Sequence, residues 1–146
     1  MNCILPLLFL ATQVRASASG NMDADALLND SAYSESASSA ITPLGNAAGF
    51  VNTHASASGK GYLTYSTLAD YDPNKRAERC NNNKHYASFN IFFKRYPPKT
   101  SEGLSHKETV VIKCFLWSRQ LSLSDAEIVG QWRNEVIAGS NAYINV

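Results

Sequence analysis

Apolar and polar residues alternate with a period of two from Ala87 to Lys94. Ala87, Phe89, Ile91 and Phe93 fall on one side and Ser88, Asn90, Phe92 and Lys94 on the other, the pattern of a half-buried β-strand. Pro97-Pro98 ends it, because proline has no N–H to give to a ladder. Thr109 to Trp117 is the strongest strand signal, with Val110, Ile112, Cys114 and Leu116 on one face and Val111, Lys113, Phe115 and Trp117 on the other. Gly61 to Ser66 reads as a short strand, as do Glu135 to Ala138 and Ala142 to Val146. Asp72-Pro73 predicts a helix start: the Asp side chain accepts orphan N–H groups, and Pro at the first helical position has no N–H to lose. That helix runs to about Asn82, with a thin apolar face of Ala77 and Cys80. A polar loop fills the interval from Tyr96 to Glu108. The order β-α-β-β-β implies an α+β fold, a small antiparallel β-sheet packed against one α-helix.

The pattern weakens toward the N-terminus. Residues 19–40 are rich in Ala and Ser, and such a segment buries too little apolar surface to offset chain entropy. They are expected to be flexible or weakly helical. Residues 41–59 are open to either reading, since Ile41, Leu44, Phe50 and Val51 can pack as an opening strand. The first residues carry a different signal. Ile4 to Ala11 is an apolar run of the length of a signal-peptide core, followed by the small residues Ala16-Ser17-Ala18. Cleavage is expected after Ala18, with Ala16 as the alternative. The domain reading is therefore 1–18 signal peptide, 19–40 low-complexity flexible segment and 41–146 folded domain, in a secreted, extracellular protein.

Length and charge narrow the function. The chain has 146 residues, 45% hydrophobic and 17% charged, with a net charge of +1, which suits one domain. Near-neutrality argues against a general nucleic-acid binder, which needs basic surface for phosphates. No apolar run approaches the ~20 residues of a membrane span. The balance conceals an asymmetry. From Ser19 to Gly59 there are four acidic residues (Asp23, Asp25, Asp30, Glu35) and no Lys or Arg, whereas from Lys60 onward twelve basic residues face eight acidic ones. Asn29-Asp30-Ser31 is an N-glycosylation sequon, so Asn29 is a candidate glycan acceptor. Signal cleavage would remove Cys3 and leave Cys80 and Cys114.

Arg76, Cys80 and Tyr86 stand at the spacing of a C-x3-C-x5-C motif, followed by SFNIFF and VIKCFLW. This resembles the apple or PAN module. More closely, GYLTYSTLADYDPNK, ASFNIFFKR, VIKCFLW, GQWRN and VIAGSNAY resemble a group of secreted ascomycete proteins carrying apple-like modules of poorly defined function. The resemblance covers roughly residues 41–146. It implies an apple/PAN-like sheet and helix, and a binding rather than a catalytic role. In the family pattern the first helix cysteine pairs with the later strand and the second with the position after the helix. Here Arg76 and Tyr86 replace two of those cysteines, so Cys80 and Cys114 descend from two different bridges. Either they remain separate thiols, or the helix has shifted to bring them within about 7 Å. Arg76 adds a charge to the helix face that meets the sheet. It must snorkel, find an acid such as Asp72, or rotate the helix. The tail before VIAG is a few residues short, which puts its strand in question.

Few residues suggest chemistry. His85 and His106 with Cys80 and Cys114 fit no known zinc spacing, and His54 stands apart. The acid pairs Asp70/Asp72 and Asp125/Glu127 read as solvated caps, and Gly139-Ser140-Asn141 lacks the lysine of a phosphate loop. Lys75, Arg76, Arg79 and Lys84 form a basic cluster that could meet an anionic partner but reads first as a solvated helix face. The aromatics are more informative: Tyr62, Tyr65, Tyr71, Tyr86, Tyr96, Trp117 and Trp132 are many for so small a domain, and aromatic faces can stack on sugars or anchor a protein. Trp117 reads as core. Tyr62, Tyr65, Tyr96 and Trp132 are the candidate ligand-binding residues. The expectation is a non-enzymatic, monomeric module without cofactor or metal that recognises an extracellular carbohydrate or protein. The alternatives are a small secreted interaction protein or effector with a disordered acidic arm, and a degenerate family member without activity.

Overall fold

The computed structural model describes residues 28–80, 85–96, 100–101, 104–105, 109–130 and 135–146. Along the chain come α1 (Ser31–Ser39), β1 (Asn46–Thr53), β2 (Ser56–Ala57), β3 (Tyr62–Leu68), α2 (Pro73–Cys80), β4 (Ser88–Tyr96), β5 (Thr100–Ser101), β6 (Leu104–Ser105), β7 (Thr109–Trp117), β8 (Ala126–Ile128) and β9 (Val136–Asn145). The fold is α+β. Five strands form an antiparallel sheet in the order β1-β9-β4-β7-β3, while β2 pairs with β8 and β5 with β6.

β4 lies at the centre, and this changes its reading. Phe89, Ile91 and Phe93 point to the main core, as their spacing predicts, where they meet Ile112, Cys114, Val136, Ala138 and Tyr143. The opposite side is not solvated: Ser88, Asn90 and Phe92 are also buried. A second, smaller cluster covers part of that face, built from Phe50, Ala57, Trp117, Leu121 and Ala142. Asn90 ties the covering segment down. Its side-chain oxygen accepts from the Ala57 N–H at 2.8 Å, and its amide donates to Ser140 Oγ at 2.9 Å and the Asn141 carbonyl at 2.8 Å. Buried amides of this kind persist because their polar atoms are satisfied.

Residues 31–39 lie within the segment expected to be flexible or weakly helical. They form a helix docked on the sheet, which gives the sheet two helices where one was expected. Asp30 caps it by accepting from Ala32 N at 2.9 Å. Tyr33 and Ala37, one turn apart, share the buried face. The Tyr33 ring meets Phe93 edge-on at 4.7 Å. A nine-residue helix is marginal in isolation, so tertiary contact holds it. The small Ala and Ser side chains that weaken its amphipathic signal also let it lie close to β9. Residues 19–27 lie outside the described residues.

β1 realises the opening strand, but of its suggested apolar anchors only Phe50 is buried; Ile41, Leu44 and Val51 are exposed. β9 is one continuous strand where two short ones were expected, with an irregularity opposite β4 between Ile91 and Phe93. The strand put in question at VIAG is therefore present, beginning at Val136. Gly139, in the left-handed region at φ +55°, absorbs that irregularity. α2 begins as its sequence predicts: Asp72 Oδ1 accepts from Asn74 N at 3.0 Å and Lys75 N at 3.2 Å.

Candidate functional site

The candidate site is an aromatic surface at the β3 edge of the sheet. Simple alternation would send Tyr62 and Tyr65 to opposite faces, because they are three residues apart. The pairing register prevents this. Tyr62 lies opposite Trp117 and Tyr65 opposite Phe115, and a register shift between Tyr62 and Thr64 places one extra residue in β3. Both tyrosines consequently meet the same β7 ring: Tyr62 is edge-on to Phe115 at 5.4 Å, and Tyr65 is tilted against it at 5.9 Å. Tyr62 also meets Trp117 at 5.7 Å, and Phe92 supports Phe115 from β4 at 5.1 Å. Tyr62 and Tyr65 remain 45% and 57% exposed. The outcome is an exposed pair of rings backed by the half-buried Phe115 and, behind it, the buried Phe92 and Trp117.

Polar groups border the pair. Lys113 Nζ sits 4.7 Å from the Tyr65 ring centroid and donates to Thr67 Oγ1 at 2.8 Å. Partial burial, with Lys94 nearby, lowers the Lys113 pKa from its ordinary value. Partial burial, with Tyr65 adjacent, raises that of Tyr62. At the Trp117 end, the Arg119 guanidinium lies 5.4 Å from the indole. Arg119 also donates to the Ser58 and Lys60 carbonyls and pairs with Asp125 at 2.9 Å. It thereby clamps the β2–β3 turn beside the aromatic surface.

Burial pulls the Asp125 pKa upward, but the Ser122 N–H and Arg119 outweigh it and hold the carboxyl below its ordinary value. A depressed carboxylate contributes stability that is full above the unfolded-state value of about 3.9 and is lost as pH falls through the folded value. Asp125→Asn should therefore lower stability at neutral pH by at most about 1 kcal/mol after solvent screening. It should also flatten the acid limb of a melting-temperature profile taken between about pH 5 and pH 2. An unchanged acid limb would show that this pair carries no pH dependence.

The other sequence candidates fall elsewhere. Tyr96 pairs with Thr109, six positions along β7 from Phe115, which is about 20 Å at the rise of a strand. It carries Lys94 over its ring at 4.9 Å and does not join the pair. Trp132 lies outside the described residues. Trp117 is buried, as expected. Tyr71 and Tyr86, two of the many aromatics of the sequence, are core residues: Tyr71 stacks on Phe93 at 4.9 Å and donates to the Gly139 carbonyl at 2.7 Å. Burial raises its pKa well above the ordinary value. Asn29 is exposed just before the cap of α1. Cys114 is fully buried on the main-core face of β7. The Cys80 side chain, His106 and Lys84 lie outside the described residues, and so does the Arg79 side chain. His54 and His85 are exposed, and no group of three metal-ligating side chains occurs among the described residues.

Sequence reasoning passed over Phe115, Lys113, Thr67 and Arg119 as parts of this surface. The alternation of β7 already placed Lys113 and Phe115 on one face, but the cross-strand register that sets them against Tyr65 and Thr67 is a tertiary property. Arg76, grouped with Lys75, Arg79 and Lys84 as a solvated helix face, is instead buried on the inner side of α2, beside a cleft between the end of β3 and α2. Among the described residues no helix is long and apolar enough to cross a membrane. No family model, no curated protein and no solved structure matches the chain.

Proposed function

We propose that the chain is a secreted, non-enzymatic, apple/PAN-like binding module whose β3–β7 surface receives a carbohydrate. The observation that carries this reading is the exposed Tyr62–Tyr65 pair, held against Phe115 on the sheet. Rings left exposed yet fixed by their neighbours lose little conformational freedom on binding. Their faces suit the C–H-rich side of a sugar ring, and Lys113 and the Thr67 hydroxyl stand where sugar hydroxyls need partners. Secretion rests on the apolar run at Ile4 to Ala11 and the small residues through Ala18. The helix-and-strand order around Arg76, Cys80, Tyr86 and VIKCFLW supports the apple/PAN likeness.

The test is affinity electrophoresis of the chain through gels containing individual cell-wall polysaccharides. At least one should retard it. Tyr65→Ala should weaken retardation at least tenfold, about 1.4 kcal/mol, with the fold intact by circular dichroism. Retardation by none of the polysaccharides would remove the carbohydrate reading. A protein partner is the second reading, favoured by one observation: β3 is an edge strand with no charged residue and no proline, so its outer backbone groups are open to strand addition.

A further inference from the structure

The cleft between the end of β3 and the first turns of α2 has a volume of about 270 Å³ and is lined by Thr67, Leu68, Asp70, Asp72, Lys75 and Arg76. Two acids and two bases suggest neutrality, but their partners are unequal. Asp72 is engaged as the helix cap, accepting from the Asn74 and Lys75 amides. Asp70 faces Lys75 Nζ at 3.9 Å. Arg76 is only 8% exposed, and its Nε is buried without a hydrogen-bond partner. No acid among the described residues lies within ion-pair distance of it. A buried guanidinium nitrogen left unpaired, with no counter-charge among the described residues, is unfavourable unless something supplies a partner. The cleft beside it is large enough for a small molecule, though below the range of drug-sized pockets.

We infer that this cleft is a carboxylate-binding site, with Arg76 as its anchor and Lys75 as a cation at its mouth. A planar carboxylate fits the guanidinium fork. The carboxylate can come from a free small acid or from an acidic sugar. Thr67 lines the cleft and also accepts from Lys113 beside Tyr65, so an acidic sugar held here would abut the aromatic surface. The acidic-sugar version rests on the carbohydrate reading, whereas the carboxylate site itself does not.

The test follows the Arg76 Nε–Hε resonance and the amides of residues 69–76 in the ¹⁵N-labelled full chain. Sodium acetate and D-glucuronate are titrated separately, against glucose and against sodium chloride at matched ionic strength. Both carboxylates should produce saturable shifts, and glucose and chloride none. Arg76→Gln should weaken carboxylate binding at least tenfold, and Arg76→Lys, which keeps the charge but loses the fork, by a smaller factor. D-glucuronate binding at least tenfold tighter than acetate assigns the site to an acidic sugar; equal affinities assign it to the carboxylate alone. Absence of a saturable shift with either carboxylate overturns the inference, as does unchanged binding in Arg76→Gln. Tyr65→Ala should leave the acetate titration unchanged. Titration of Arg76 by acetate without retardation by any polysaccharide would sink the carbohydrate reading and leave this site standing.

Discussion

Asn141→Ala is expected to lower stability by about 3–5 kcal/mol, the lower part of the range set by about 1–3 kcal/mol for each of three polar groups left unsatisfied, because one of the three is only partly buried. Asn141 is fully buried in β9 and joins three elements. Its side-chain oxygen accepts from Asn52 N in β1 at 2.8 Å, and its amide donates to the Ala37 carbonyl of α1 at 2.8 Å and to the Tyr143 hydroxyl at 2.8 Å. Alanine removes all three partners at once. Ala37 lies in the last turn of α1, where the helix offers its own carbonyls no donors. Asn52 holds a left-handed backbone at φ 52° that its N–H bond helps to fix. Small domains are often stable by only about 5–15 kcal/mol, so the loss would consume a large part of the total. Urea unfolding should show a lower midpoint at similar slope, and hydrogen exchange should show the α1 amides losing protection. A loss under about 1 kcal/mol would mean that water replaces these bonds freely, and the docking of α1 would need another explanation.

Gly139→Ala should destabilise by about 2–4 kcal/mol, from left-handed strain of about 1–2 kcal/mol together with displacement of α1. A β-carbon at this position would lie 2.7 Å from the Tyr33 carbonyl oxygen and 3.0 Å from Phe93 Cδ2. The first neighbour is backbone and the second a packed ring, so neither yields cheaply. Gly45→Ala supplies the control. Gly45 also has a left-handed backbone, at φ +80°, but a β-carbon there would meet nothing within 4 Å. It should report the backbone term alone, about 1–2 kcal/mol. Equal losses in the two variants, measured by chemical denaturation, would show that α1 does not press on β9 at Gly139.

These two residues mark the limit of the sequence reading. The alternation through β4 and β7 was legible because the side-chain period of a strand is a local property. The start of α2 was legible because Asp72-Pro73 meets a local need for acceptors and a fixed φ. Nothing local marks Asn141 as the joint of three elements; with Gly139 and Ser140 it falls in the gap between the two short strands expected there. The docking of α1 was illegible for a related reason. Its buried face is one tyrosine and one alanine, and its stability comes from a sheet far away in sequence. On the functional side, Tyr62 and Tyr65 were picked out as aromatic residues, but their convergence depends on the extra residue in β3. Tyr96 was picked out on the same grounds and lies at the other end of the sheet.

The amino-acid sequence by itself determined an α+β chain with two strong strands, a capped helix at Asp72-Pro73 and a core face of Val110, Ile112, Cys114 and Leu116. Each of these follows from periodicity or from the hydrogen-bonding needs of a single chain end. The tertiary structure alone decided the central place of β4, the docking of α1, the meeting of Tyr62 and Tyr65 over Phe115, and the burial of Arg76 beside a cleft. Strand order, register and close backbone approach depend on contacts between residues distant along the chain, and a one-residue slip in any pairing would turn the same side chains to the other face.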